Sequence, residues 1–124
     1  MAQVRYLVDD VDAAISFYVS HLGFELAEQY GPAMATLRRG DLDLWVAGPM
    51  ASASRPMPDG TKPTPGGGWA RFVLTVDDLG GLVGRLRDAG VTFRNDLLSG
   101  PGGQQILCED PSGNVVELFE PASE

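Results

Sequence analysis

Two stretches of the chain carry the same alternation of apolar and polar positions. Residues 4–12 read Val-Arg-Tyr-Leu-Val-Asp-Asp-Val-Asp, and residues 72–80 read Phe-Val-Leu-Thr-Val-Asp-Asp-Leu-Gly. Each is a strand-like run that ends in Val-Asp-Asp and an aliphatic residue. A helical pattern follows each run. Val11, Ala14, Ile15, Tyr18 and Leu22 share one face of the first, and Leu79, Leu82, Val83 and Leu86 share one face of the second. The spacing i, i+3, i+4, i+7 is that of a helix half-buried against a core. Asp10 and Asp78 stand where an N-cap must accept orphan backbone N–H groups. Gly23 and Gly90 stand where a left-handed C-cap is required.

Beyond those glycines, Phe24-Glu25-Leu26-Ala27 and Val91-Thr92-Phe93 predict short strands. Each repeat then closes in a hairpin. Residues 33–38 and 42–47 flank Arg39-Gly40-Asp41, and residues 103–109 and 114–120 flank Asp110-Pro111-Ser112-Gly113. Both linking segments hold a Gly for positive φ, and the second adds a Pro preset for a turn. Ser99-Gly100 and Gly102-Gly103 around Pro101 read as a turn. The chain is therefore two βαβββ modules, 1–47 and 69–124, and its fold class is α+β. Residues 48–68 hold five Pro and five Gly. That segment is too long for a tight connection and is either a linker or a flap over a site.

Composition narrows the function. The 124 residues suit one domain, with enough length to bury a core without a disulfide or a metal. A net charge of −8 argues against nucleic acid and anionic membrane surfaces, which are met by Lys and Arg. It favours a cationic ligand weakly. No apolar run is long enough to span a bilayer and no leader pattern opens the chain, so the expected location is the cytoplasm. Cys108 is the single cysteine and sits in an apolar run, where it reads as a small core residue. The Gly66-Gly67-Gly68 run is not a phosphate loop, because no Lys-Ser/Thr and no helix follow. One His, His21, excludes a Ser-His-Asp arrangement and fits a helix C-terminus instead. The Asp9-Asp10 and Asp77-Asp78 pairs are explained by helix entry.

The residues Asp10, Phe17-Tyr18, Leu22-Gly23-Phe24 and the run Asp-Pro-Ser-Gly-Asn-Val-Val-Glu-Leu at 110–118 resemble the vicinal-oxygen-chelate (glyoxalase/bleomycin-resistance) superfamily. The resemblance implies that each module curls its mixed sheet into a half-open cup. Paired modules then enclose a cleft, within one chain or across a homodimer. It also implies metal ligands at strand positions seven residues before each helix-entry Asp, together with a carboxylate on the last strand. Those positions hold Gln3, Arg71 and Glu117. An amide oxygen can ligate, but a guanidinium offers only donors. An Arg71–Glu117 pair facing across the cup is expected in place of a metal, and no cofactor is expected.

Strand alternation puts Gln3, Arg5 and Leu7 on the cup side, with Arg71, Val73 and Thr75, and with Val115, Glu117 and Phe119. Asp43 and Trp45 join them if Leu42, Leu44 and Val46 pack under the helix. Trp45 is then a flat stacking surface or an ordinary core residue. Trp69 borders the Pro/Gly segment and is a lid, a hinge or part of a dimer interface. Gln3, Arg5, Asp43, Trp45, Trp69, Arg71, Val73, Glu117 and Phe119 are accordingly the candidate ligand-binding residues. The first functional reading is a metal-independent protein that sequesters a small natural product or antibiotic, aromatic or cationic. The second is an enzyme (lyase, isomerase or dioxygenase) with Glu117 as general base and Arg71 holding an anionic intermediate. An interaction domain is the third.

Overall fold

A computed structural model describes residues 2–123. The chain divides into two compact units. One runs to Gly67 and also takes in Pro111–Asn114, and the other comprises Gly68–Asp110 and the chain from Val115 onward.

In the first unit the order is β1 (Val4–Leu7), α1 (Val11–Leu22), β2 (Glu25–Tyr30), β3 (Met34–Arg39) and β4 (Leu42–Ala47). In the second it is β5 (Phe72–Thr75), α2 (Leu79–Asp88), β6 (Leu98–Gly100), β7 (Gly103–Glu109) and β8 (Val115–Pro121). The sheets run β1-β4-β3-β2 and β5-β8-β7-β6, so the same βαβββ topology occurs twice. In each, the first strand pairs in parallel with the last and the other pairings are antiparallel.

Local chemistry sets the element ends. Asp10 accepts from the Ala13 N–H at 3.2 Å, and Asp78 from the Gly81 N–H at 3.1 Å. Gly23 ends α1 at φ 73°, its N–H returning to the Tyr18 carbonyl. Leu44, Val46, Ala35 and Leu37 lie buried beneath α1, and Tyr18 is fully buried with its ring edge-on to Phe17 and Phe24 at 5.1 and 5.3 Å. Phe17 is buried although it lay outside the expected face, and Ile15 and Leu82 are only half-buried. Burying a Leu or Val side chain contributes about 1.5–3 kcal/mol, so these positions hold each helix to its sheet.

The structure departs from the sequence pattern in module two. Residues 91–93 are not a strand. Thr92 and Arg94 exchange single backbone bonds with β7 (Glu109 N to Thr92 O, and Arg94 N to Leu107 O, both 2.9 Å). Asn95 Oδ1 then accepts the Leu107 N–H at 2.9 Å, so a side chain takes the place of the next ladder carbonyl. Five steps from Phe93 to Leu98 face three steps from Cys108 to Gln105, and the extra residues bulge out. The edge strand forms later, as β6, which includes Ser99 and Gly100 and leaves Pro101-Gly102 as the turn. In module one, β2 extends to Tyr30 and is exposed throughout, with a bulge at Ala27.

The closing loop of the second hairpin packs within the first unit. Asn114, largely buried, donates to the Leu7 carbonyl at 2.8 Å and accepts the Gly66 N–H at 3.1 Å. Ser112 accepts the Asp9 N–H at 2.8 Å. No helix among the described residues is long and apolar enough to cross a membrane.

Candidate ligand-binding faces

The sheet of the first unit has one face under α1 and one face free of it. Leu44 and Val46 are fully buried while Asp43 and Trp45 are half-buried, so β4 takes the alternation that turns Trp45 away from the helix. Register then builds rows across this face. Arg5 pairs with Trp45, Trp45 with Thr36, and Thr36 with Glu28. Asp43 pairs with Arg38, and Arg38 with Glu25, in the adjoining row.

The Arg5 guanidinium carbon lies 4.9 Å from the centre of the Trp45 ring, within cation–π range. Arg38 donates to both carboxylate oxygens of Asp43, at 2.8 and 3.4 Å. The hydrogen bond from Arg38 holds the Asp43 carboxyl below its ordinary value of 3.8. At the end of the row Tyr30 donates to Glu28. Gln3 precedes β1 and is exposed. A hollow of about 490 Å³ lies beside Arg38 and Asp43, lined also by Ala2, Gly40 and Asp41.

The second unit presents its own polar face. Arg71, one residue before β5, sends Nε and Nη2 to the same oxygen, Oε1, of Glu117, at 3.1 and 2.8 Å. Its Nη1 donates to the Trp69 carbonyl at 3.1 Å. The pair does not reach across a cup, as the sequence suggested. Arg71, just before β5, reaches diagonally to Glu117 on the neighbouring parallel strand β8, where the register partner of Glu117 is Val73. Val73 is half-exposed, and Phe119 sits between Thr75 and Gln105. Val115 shares the face but is buried.

A second arginine repeats this device. Arg94 donates to Glu109 at 2.7 Å and to the Gly68 carbonyl at 2.6 Å, and its guanidinium lies 4.9 Å from the centre of the Trp69 ring. Trp69 is 66% exposed, yet arginines tie down its own carbonyl and that of Gly68 and stack on its indole. Arg38, Arg94 and Glu109 were not foreseen. Alternation along β7 puts Glu109 in phase with Leu107 and offered a signal, but nothing near Arg94 in sequence marks it.

The metal positions implied by the resemblance do not fit a divalent ion. Arg71 supplies only donors and occupies an oxygen of the one carboxylate. Among the described residues no three His, Cys, Asp or Glu groups gather in a ligating cluster. His21 lies in the last turn of α1 with its ring against Phe17 at 5.6 Å. Cys108 is buried, and burial pushes its thiol up to about 12.

A sequence model of the glyoxalase/bleomycin resistance protein/dioxygenase superfamily matches residues 1–118. The chain belongs to this superfamily. An antibiotic binding protein from a Streptomyces species is 27% identical, with a TM-score of 0.69 over 98% of each chain. A lactoylglutathione lyase from Agrobacterium tumefaciens is 24% identical, with a TM-score of 0.73 over 97% of this chain and 92% of that one. A fosfomycin resistance protein from Listeria monocytogenes shares the fold at 12% identity and a TM-score of 0.72, over 98% of this chain and 93% of that one. No curated protein matches the sequence. These similar structures thus range from an antibiotic binding protein to a lactoylglutathione lyase.

Proposed function

We propose that this protein binds a small aromatic natural product, an antibiotic in the resistance-type reading, without a metal and without turning it over. The observation that carries the reading is the Arg71–Glu117 pair. The carboxylate that the superfamily pattern assigns to a metal accepts two hydrogen bonds from one guanidinium at a single oxygen. A charge-assisted pair of this kind offsets the desolvation of a half-buried carboxylate, and it does so without an ion.

The residues proposed for the binding faces are Gln3, Arg5, Asp43 and Trp45 in the first unit, and Trp69, Arg71, Val73, Glu117 and Phe119 in the second. Two indoles supply flat apolar surface, and a few placed polar groups supply orientation, as binding sites require. The antibiotic binding protein at 27% identity supports the class of ligand. A homodimer is part of the proposal. The exposed edge β2 carries Leu26 and Tyr30, and pairing would cover an edge of this kind.

The test is elemental mass spectrometry of the purified protein before and after incubation with Zn, Ni, Mn and Fe, followed by titration of tryptophan fluorescence with aromatic antibiotics. No retained metal, saturable quenching and unchanged compound on recovery are expected. A stoichiometric metal that survives dialysis, or conversion of the bound compound, would overturn the reading. Light scattering checks the dimer separately.

A further inference from the structure

Four arginines stand on or beside the two binding faces, and one is bonded differently from the rest. Arg38 has Asp43, Arg71 has Glu117 and the Trp69 carbonyl, and Arg94 has Glu109 and the Gly68 carbonyl. Arg5 has the Trp45 ring. Among the described residues no carboxylate or carbonyl accepts from it. An indole face attracts a cation through its quadrupole but has no lone pair to receive an N–H. Arg5 is an exposed residue, so its donors are open to a ligand's acceptors.

Arg5 is also the end of a row. Trp45, Thr36 and Glu28 follow it across the sheet, and Glu28 at the far end accepts from Tyr30. Adjacent strands are about 4.8 Å apart, so Arg5 and Thr36 are separated by roughly the length of two fused aromatic rings. A flat ligand lying along the row places one end on the guanidinium.

We infer that Arg5, held over Trp45 without an acidic partner among the described residues, selects a planar aromatic ligand that carries an anionic group, a carboxylate or a phenolate, at the end nearest β1. This rests on the binding reading above and names the charge of its ligand. A ligand that covers Arg5 removes water from its donors. A neutral or cationic ring leaves those donors without acceptors, which costs affinity, whereas an oxyanion takes two of them in the plane of the fork. The site therefore discriminates by penalising the wrong ligand as well as by attracting the right one.

The chain's net charge of −8 points the other way, toward a cation. That charge acts at a distance and is screened over about 8 Å at physiological salt. At contact range the nearest acid of the adjoining row, Asp43, is already taken by Arg38. The local donor set decides.

The experiment is calorimetric titration with three probes of nearly one shape: naphthoate, naphthamide and naphthylmethylammonium. The proteins are the full chain and its Arg5→Gln and Arg5→Glu variants, each checked for folding by circular dichroism. Arg5 is exposed, so both variants are expected to fold. The native chain is expected to bind naphthoate about tenfold more tightly than naphthamide, and naphthylmethylammonium most weakly. Arg5→Gln should bring naphthoate and naphthamide to near parity, and Arg5→Glu should invert the order in favour of the cation. If the probes bind alike, or if the preference persists in Arg5→Gln, the inference is overturned while the binding reading stands. If none binds the native chain, both fall together.

Discussion

Arg71 and Glu117 meet through a single oxygen: Nε at 3.1 Å and Nη2 at 2.8 Å both donate to Oε1. The Arg71 side chain is 30% exposed and that of Glu117 is 12% exposed, so the pair is more sheltered than a surface ion pair. Replacing Arg71 with Ala leaves a half-buried carboxylate without its donors. The expected loss is about 1–2 kcal/mol of unfolding free energy. Urea denaturation checks it, and Glu117→Gln in the same background should recover part of the loss. A double-mutant cycle with no coupling between the two positions would mean that the contact does not hold in solution.

Asn114 holds two backbone groups far away in sequence, the Leu7 carbonyl and the Gly66 N–H. Asn114→Ala abandons both in a largely buried setting, for an expected cost of about 2–4 kcal/mol. Asn114→Asp keeps the acceptor for Gly66 and loses the donor to Leu7, so it too should destabilise near neutral pH. Equilibrium denaturation of both variants tests this, and native stability in Asn114→Ala would refute it.

The Arg38–Asp43 pair predicts an acid-side effect. Its hydrogen bond lowers the Asp43 carboxyl from 3.8. A lowered carboxyl stabilises the fold above its unfolded value, and that contribution is lost as pH falls through the lowered, folded one. Carboxyl ¹³C titration of Asp43 should give a midpoint below 3.8, and Arg38→Gln should move it upward. The Arg38 side chain is 55% exposed, so high salt should weaken the shift.

Cys108 predicts the opposite, alkaline effect. Burial raises its thiol from 9.0 to about 12. A raised acid stabilises the fold fully below the unfolded value, and the contribution is lost as pH climbs from about 9 through about 12. Iodoacetamide at pH near 8 should therefore leave the folded thiol unmodified and label it readily in urea. Cys108→Ala should flatten the fall in stability over that alkaline range. Rapid labelling of the folded protein would show that the thiol is reachable.

Local pattern carried much of this protein. The N-caps at Asp10 and Asp78, the left-handed Gly23 and both hairpin turns are written within a few residues of where they act. Local backbone sterics and orphan N–H groups decide them. The alternation in β4 also sufficed to turn Trp45 away from α1, because Leu44 and Val46 have only one apolar surface to join. It failed at residues 91–93. There Asn95 supplies a side-chain oxygen to β7 and displaces the ladder, a competition that no periodicity records.

By itself, then, the sequence determined two βαβββ modules, their α+β class and the side of β4 that meets α1. These follow from dihedral preferences and from the burial of periodic apolar faces, which act over a turn or a strand. Tertiary structure decided which charges meet. Glu117 lies 46 residues from Arg71, Asn114 lies 107 from Leu7, and Arg94 comes to rest on Trp69. Electrostatic partners are set by distance in space once the strands are in register. Arg5, Arg38, Arg71 and Arg94 read alike as arginines and differ only in what each one reaches.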